Sequence, residues 1–582
     1  MSSRKQYIKS AVVSKKPFDL SRSALGTLDF GQIVPVFFEE GLPGDKFTVS
    51  NRQFARLAPL TFPTYGRCEL CTASFYVDYY QLADDFEAWI DGKATYNGKV
   101  PYLRYFQAYD LMVFMARPAN SKEVSSTEHY DFRFSATTVS SMKYYQLTKR
   151  GRFIYKILRG LGYQLINGNG DNEAFVNLKF NAMPLLAFFK AYNDYMTLGT
   201  RQNTSILSNI LYKLKLGEYE NEYQKGKISE ASLRNAFDSI LLCFDDDYFT
   251  TTWEEANSPI TDYDIVNQIS DGESNYNITF NHRDTYMNDV NPSISNNGLT
   301  ARQHEYLRKF DEWVRRNQLS SKDIDNIYAR FGVKPENMRA KYCHPISRSS
   351  QLIMVGDVTA TSDTYNGESG MPLGSFAGKG IVQGDDKFSY SPDEFGAFIT
   401  LAWIKVKPMY TEGVKRHCLR SSCFDYFTPE FDGLGGQALN YLELCGDYTL
   451  NFSQDVLQTF GFGNRYQEYR DSSQNDIVFG DMAIDEYMNA WHFDRSVALA
   501  KEKLAGHAVY SQGNVLNTYG SPGDSQPFDR IFVNDGSVTQ NDHFFVQFYF
   551  DVKAFRHVKN FTDVLGFGEG DLPIASNGTN IS

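Results

Sequence analysis

The sequence predicts a mainly β fold with large α-helical and loop insertions, a β-sandwich whose first and last strands pair. Three observations carry this. Short apolar runs separated by turns fill residues 27–118 and return after residue 350. Between them, from about residue 140, the apolar spacing becomes helical. Aromatic residues make up 15% of the chain, including 38 Tyr and 45 Phe, a load that suits strand-rich folds and large buried interfaces. A chain that opens and closes with strands and carries helices between them fits a sandwich closed by its two ends. The 582 residues could hold two to four average domains or one large β domain with insertions, and 42% hydrophobic content is ample for a core.

The elements follow in order. Residues 1–26 read as an extended, Ser-rich basic arm, with Arg4, Lys5, Lys9, Lys15, Lys16 and Arg22 set against the single acid Asp19. Strands are expected at Gln32 to Glu39 and Lys46 to Ser50, joined by a turn at Pro43-Gly44-Asp45. There Pro fixes φ and Gly is free to take φ > 0. Cys71 to Tyr80 and Leu111 to Met115 read as further strands, and Trp89-Ile90 as part of a short helix. Phe153, Ile154, Ile157, Leu158 and Leu161 then follow helical spacing, with Lys149, Arg152, Lys156 and Arg159 on a basic face that is either solvated or turned to nucleic acid. Asn181 is placed to cap a helix whose early Pro184 suits a first turn. Two more helices are expected over Ser205 to Leu216 and Ser229 to Cys243. Residues 245–298 are rich in Asp, Asn, Ser and Thr and read as a long surface excursion. Thr300 with Gln303 opens a helix by a capping-box arrangement, and a second helix starts at Ser320 or Ser321 and ends at Gly332. Strands return at Leu352 to Val355, Ala397 to Val406 and Phe544 to Phe555.

Composition excludes several function classes. A net charge of −12 argues against a chain that binds polyanions over its whole surface. The seven Cys are odd in number and scattered, so they form no secreted disulfide framework. Cys68 and Cys71 form a CxxC without a second ligand pair, on a strand-like run where i and i+3 point to opposite faces, which favours structural thiols over a metal or redox site. No apolar stretch is long enough for a membrane span, and the polar, basic N-terminus predicts no secretory signal. No GxSxG, HExxH or EF-hand loop occurs. Gly378-Lys379-Gly380 fails the P-loop pattern and reads as a loop turn. Asp385-Asp386 and Glu254-Glu255 read as solvated surface. His492, between Trp491 and Arg495, reads as a satisfied structural histidine or as part of a pocket.

The residues from 17 to 67 also carry a longer pattern. Thr27, Asp29, Gly31, Val34 and Pro35, then Glu39, Leu42, Pro43, Gly44 and Asp45, resemble the opening strand and "L-P-G-D" turn of the major capsid protein of the Microviridae, nearest its gokushovirus-like branch. The likeness continues in order. Pro184, Ala191, Tyr192 and Asn193 match a helix of that family, without its closing Arg. Asp247-Tyr248-Phe249-Thr250 resembles its "D-Y-F-T", and Leu299 to Val333 its helix pair. Pro429-Glu430-Phe431 with Gly435 and Gln437, and finally Trp491-His492, resemble its closing blocks.

The resemblance implies a viral eight-stranded antiparallel jelly roll over residues 27–582, behind the arm at 1–26. Its insertions would be a helical segment at about 140–245, an outward spike at about 251–298 and the helix pair at about 299–332. It implies a structural protein of a T=1 icosahedral shell around single-stranded DNA, made in a bacterial cytoplasm and located in the virion. No cofactor, catalytic residue or membrane insertion is implied. The expected partners are copies of the chain, the DNA facing the basic arm, other structural or scaffolding proteins of the phage, and a host receptor reached through residues 251–298. The rival class is a carbohydrate-binding or carbohydrate-active β-sandwich protein, which would also be Tyr-rich and acidic but leaves the basic arm and the ordered motifs unexplained.

Overall fold

The structure is a computed structural model that describes residues 15–118, 129–130, 132–133, 145–164, 168–169, 177–197, 205–218, 225–252, 309, 342–359, 376–432, 436–444, 459–495, 519, 527–533, 542–558, 575–576 and 580–581. Two antiparallel sheets face each other. The strands at the start of the chain are β1 (Lys16–Asp19), β2 (Arg22–Leu28), β3 (Ile33–Gly41), β4 (Lys46–Leu57) and β5 (Arg67–Asp78). The later ones are β6 (His344–Leu352), β7 (Met354–Thr359), β8 (Phe376–Tyr390) and β9 (Gly396–Lys407). Then come a hairpin of β10 (Gly436–Asn440) and β11 (Thr459–Asn464), and the long β12 (Phe544–Arg556).

One sheet has the order β1-β12-β4-β8-β7, with β2 also paired to β12; the other has the order β6-β5-β9-β3. The first strands therefore pair with β12, Lys16 opposite Arg556 and Leu28 opposite Phe544. The expected arm residues from 16 onward are strand, because β12 offers them a free edge. Phe37 on β3 meets Phe550 on β12 with ring centroids 4.7 Å apart, and Phe47 on β4 meets Phe398 on β9 at 4.5 Å, so the core lies between the sheets.

The two sheets differ on their outer faces. Strand β12 alternates buried and exposed along nearly its whole length, the signature of one dry and one wet face. Strand β9 is buried through its first nine residues, so both of its faces are covered. The cover is helical: α4 (Lys149–Gly160), α5 (Met183–Tyr195), α6 (Ser205–Lys215) and α7 (Glu230–Asp238), preceded in the chain by the shorter α1 (Tyr79–Leu82), α2 (Phe86–Ile90) and α3 (Ala108–Met115). Tyr195 of α5 stacks on Phe75 of β5 at 5.4 Å. Helix α4 lies so close to β3 that a Cβ on Gly160 would clash with the Pro35 carbonyl oxygen. Ser229 caps α7 by accepting from the Ser232 amide, while Asn181 accepts from the Met183 amide one residue ahead of the N-cap of α5.

Several expectations are corrected. Leu111 to Met115 is the end of helix α3, not a strand. A short continuous apolar run fits a buried strand and a buried helix equally, and the flanking Ala108–Asp110 turn decides for the helix. Gly378-Lys379-Gly380 lies inside β8, where a Cβ on Gly380 would stand 2.6 Å from the Leu57 side chain; the glycine permits close packing rather than a turn. Asp385 and Asp386 belong to the same strand, and Asp385 is exposed there as expected of solvated surface. The helix expected to reach Cys243 ends at Asp238. The helices expected from Thr300 to Gly332, apart from the single residue Lys309, and nearly all of the excursion at 251–298 lie outside the described residues.

Candidate functional site

The residues singled out in the sequence gather at three places. The first is the turn after β3. Gly44 takes φ +81° and donates its amide to Pro392 O at 2.8 Å. Asp45 is fully buried and accepts from the Leu42 amide at 3.1 Å, while Arg556 Nε reaches its carboxylate at 3.0 Å. Burial pushes the Asp45 pKa up, against the pull of that amide and of Arg556. Arg556 also pairs with Glu39 at 3.1 Å, so the end of β12 clamps the turn. Pro35 sits on edge strand β3 where the pairing with β9 shifts register, a position that needs no ladder donor.

The second is the Asp29 loop. Gly31 takes φ +74° to turn the chain. Asp29 accepts from the Phe30 amide at 2.9 Å and from His543 Nδ1 at 3.0 Å, and the His543 ring lies flat on Phe532 at 4.1 Å. Alongside, Lys156 of α4 pairs with Asp542 at 2.5 Å and donates to Gln32. Burial works against the Asp542 charge, but Lys156 and the hydroxyl of Thr27 outweigh it and hold its pKa low. The donor atoms of Asp29, Asp529 and His543 lie within 4.8 Å of one another, so these residues could hold a metal ion. The basic face of α4 thus spends Lys156 inside the protein.

The third is a module built from the later motifs. Tyr248 donates to Glu443 Oε2 at 3.1 Å, and Arg416 meets Oε1 of the same carboxylate at 2.7 Å. Burial lifts the Glu443 pKa against that guanidinium. Phe249 packs on Tyr410, whose hydroxyl donates to Asp247 at 2.6 Å. Gln437 accepts from the Tyr466 amide and donates to Glu468, each at 3.0 Å. Phe431 lies under the Arg465 guanidinium, Pro429 opens a single 3-10 turn, and Glu430 is exposed. Gly435 lies outside the described residues. Trp491 stacks on Phe62 at 5.2 Å; His492 Nε2 donates to the Met482 carbonyl at 3.1 Å, and its Nδ1 accepts from the Asp494 amide. His492 is therefore a satisfied structural residue. Cys68 and Cys71 are buried, and burial pushes the Cys68 thiol up to about 12, which keeps it protonated and unreactive.

Of the expected DNA-facing residues, Arg4, Lys5 and Lys9 lie outside the described residues. Lys15 is exposed, Lys16 is in β1, and Arg22 is tied to Glu39 at 2.9 Å and lies over the Phe37 ring. A groove of about 600 Å³ opens between β2, β3 and the end of α4, lined mainly by apolar side chains with Arg22 and Arg159.

The capsid protein (F protein) family matches residues 6–150 and 293–564, well over half of the chain. The chain belongs to this family. Every strand of both sheets falls inside the matched residues, whereas α5, α6 and α7 fall in the interval left unmatched. The capsid protein VP1 of Chlamydia phage 1 is 22% identical over 96% of each chain. The capsid protein VP1 of Bdellovibrio phage phiMH2K is 19% identical, over 80% of this chain and 82% of its own. The protein is thus a Microviridae-type capsid protein, a structural component of a small phage, and the carbohydrate-binding alternative is set aside. Among the described residues no helix is long and apolar enough to cross a membrane. Sequence reasoning missed Arg556 and Glu443, and placed Lys156 on a basic face without its internal partner Asp542, because their partners are far away in the chain.

Proposed function

We propose that this capsid protein closes a T=1 icosahedral shell around circular single-stranded DNA, with its sandwich as an eight-stranded jelly roll extended by extra strands. The observation that carries the reading is the family match over the very strands that build the two sheets. A closed shell needs different contacts on each subunit around its several axes, and the exposed aromatics and insertions supply candidates. Residues 1–15 face the interior. Arg4, Lys5, Lys9 and Lys15 can meet about four phosphates, which gives a log–log salt slope of roughly −3 for single-stranded DNA. Residues 251–298 reach outward and contact the host; they fall almost wholly between the two matched stretches and are acidic and Asn-rich, a poor neighbour for enclosed DNA. Other structural or scaffolding proteins of the phage assist assembly.

Sedimentation and electron microscopy of the full chain, expressed with its phage partners, test the central reading. Particles of megadalton mass support it; monomer under every assembly condition rejects it. Brief proteolysis of intact particles should cut first within 251–298 and leave shells standing. Protection of that segment in intact particles would remove the outward assignment.

A further inference from the structure

The outer face of the six-stranded sheet carries a regular array of rings and guanidinium groups. The pleat puts Phe545, Gln547 and Tyr549 on this face, and the pairing sets them opposite Arg56, Phe54 and Arg52 of β4. Rings and guanidinium groups therefore alternate along β4 and across to β12. Phe545 is 51% and Tyr549 43% exposed, so neither ring is spent on the core. The Arg56 guanidinium lies 5.2 Å from the Phe54 ring centre. Among the described residues no carboxylate is in salt-bridge contact with Arg52 or Arg56, although Asp385 stands opposite Arg52 on β8. Further along the same face Lys46, Lys387 and Lys553 stand against Asp19 and Asp551, so basic groups outnumber acids here, against a net charge of −12 for the whole chain.

This pattern suits one chemistry. Diagonal cross-strand neighbours are about 7–8 Å apart, which sets the spacing from Phe545 to Phe54 and from Phe54 to Tyr549. That is about twice the ~3.4 Å rise of a stacked strand. An extended, unstacked strand can lay successive bases on successive rings, with its phosphates beside the guanidinium groups. A duplex cannot, because its bases are already stacked.

We propose that this sheet face binds single-stranded nucleic acid without sequence preference. Phe545, Phe54 and Tyr549 serve as the stacking platform, and Arg52 and Arg56 as the phosphate contacts. The proposal rests on the reading that the shell encloses single-stranded DNA, and it names a surface distinct from the basic arm.

Fluorescence anisotropy of labelled oligo-dT with the purified full chain tests it. Phe54→Leu and Tyr549→Leu preserve apolar volume, and melting curves confirm that each variant folds. Each is expected to weaken oligo-dT binding, by an amount up to the fivefold to hundredfold of a lost stacking contact, with the salt slope unchanged. Arg52→Ala with Arg56→Ala is expected to flatten the slope by about 1.4. Duplex binding should ignore the ring substitutions. Wild-type oligo-dT binding by folded variants of both kinds overturns the proposal. So does loss of subunit association with DNA affinity intact, which would make this face a contact between copies. Shell assembly is scored separately by sedimentation. Variants that assemble yet bind as wild type sink only this platform, whereas a wild-type chain that never assembles sinks the capsid reading and leaves the DNA result standing.

Discussion

Arg556 is the residue on which the turn after β3 depends, because it meets the buried Asp45 carboxylate and Glu39 at once. Removing one partner of a buried pair leaves the other charge without compensation. Arg556→Ala is expected to cost about 3 kcal/mol, read as a lowered urea midpoint. The turn itself was legible, since Pro-Gly-Asp acts through neighbouring backbone. Its clamp was not, since nothing near Asp45 in the sequence points 511 positions ahead. A second residue-scale test concerns pH. His344 Nε2 donates to Asp78 at 2.9 Å, and this hydrogen bond raises the histidine pKa against partial burial. The stabilisation is full below the unfolded value of about 6.5 and is lost as pH rises through the raised folded value. The stability gap between the native chain and His344→Gln should therefore widen as pH falls from 8.5 to 5.5. A gap that stays flat with pH would show that the ring binds its proton equally well folded and unfolded, so that Asp78 does not stabilise its charged form.

Helix α4 and strand β3 show what governs contacts between elements. Gly160 lets the helix end lie against the Pro35 carbonyl, so Gly160→Ala should cost about 1–3 kcal/mol by forcing the two apart. Thermal unfolding reads this directly, and the same change at the open Gly162, where φ is +94°, should cost only its backbone strain. The long elements were legible because their patterns are unmixed. In β12 buried and exposed side chains alternate over most of thirteen residues, and α4 keeps one apolar stripe with Thr148 accepting from the Gly151 amide as cap. Leu111 to Met115 was misread because five apolar residues carry no period. Strand β8 was missed because three glycines and two aspartates look like a loop, although Ile381 to Tyr390 pair with β4 from Arg56 back to Phe47.

At the scale of the molecule, the mainly β architecture and the pairing of first and last strands were both readable, and the helical layer was readable as helices. What it covers was not, because the exposed face of one sheet and the buried face of the other differ only in partners distant in sequence. Arg104 shows this well: it is completely buried, bonded to Asp85 and to the Leu214 carbonyl at the end of α6, and nothing local marks it. Since the sequence of residues 251–298 is acidic and Asn-rich and carries no core-facing apolar stripe, replacing 255–296 by a short Gly-Ser linker should leave the unfolding free energy of the subunit within about 1 kcal/mol. A larger loss would mean that the segment supports the sandwich.

Among the described strands β12 is also the last long one to be translated, and β1, β2 and β4 all hydrogen-bond to it. At ~5–20 residues per second, β4 waits on the order of half a minute or more for its partner to emerge. Throughout that wait an edge of the first sheet stays open, and pairings this distant form slowly. The delay also acts as a proofreader. A prematurely terminated copy lacks the strand to which β1, β2 and β4 all bond, and so cannot complete the first sheet.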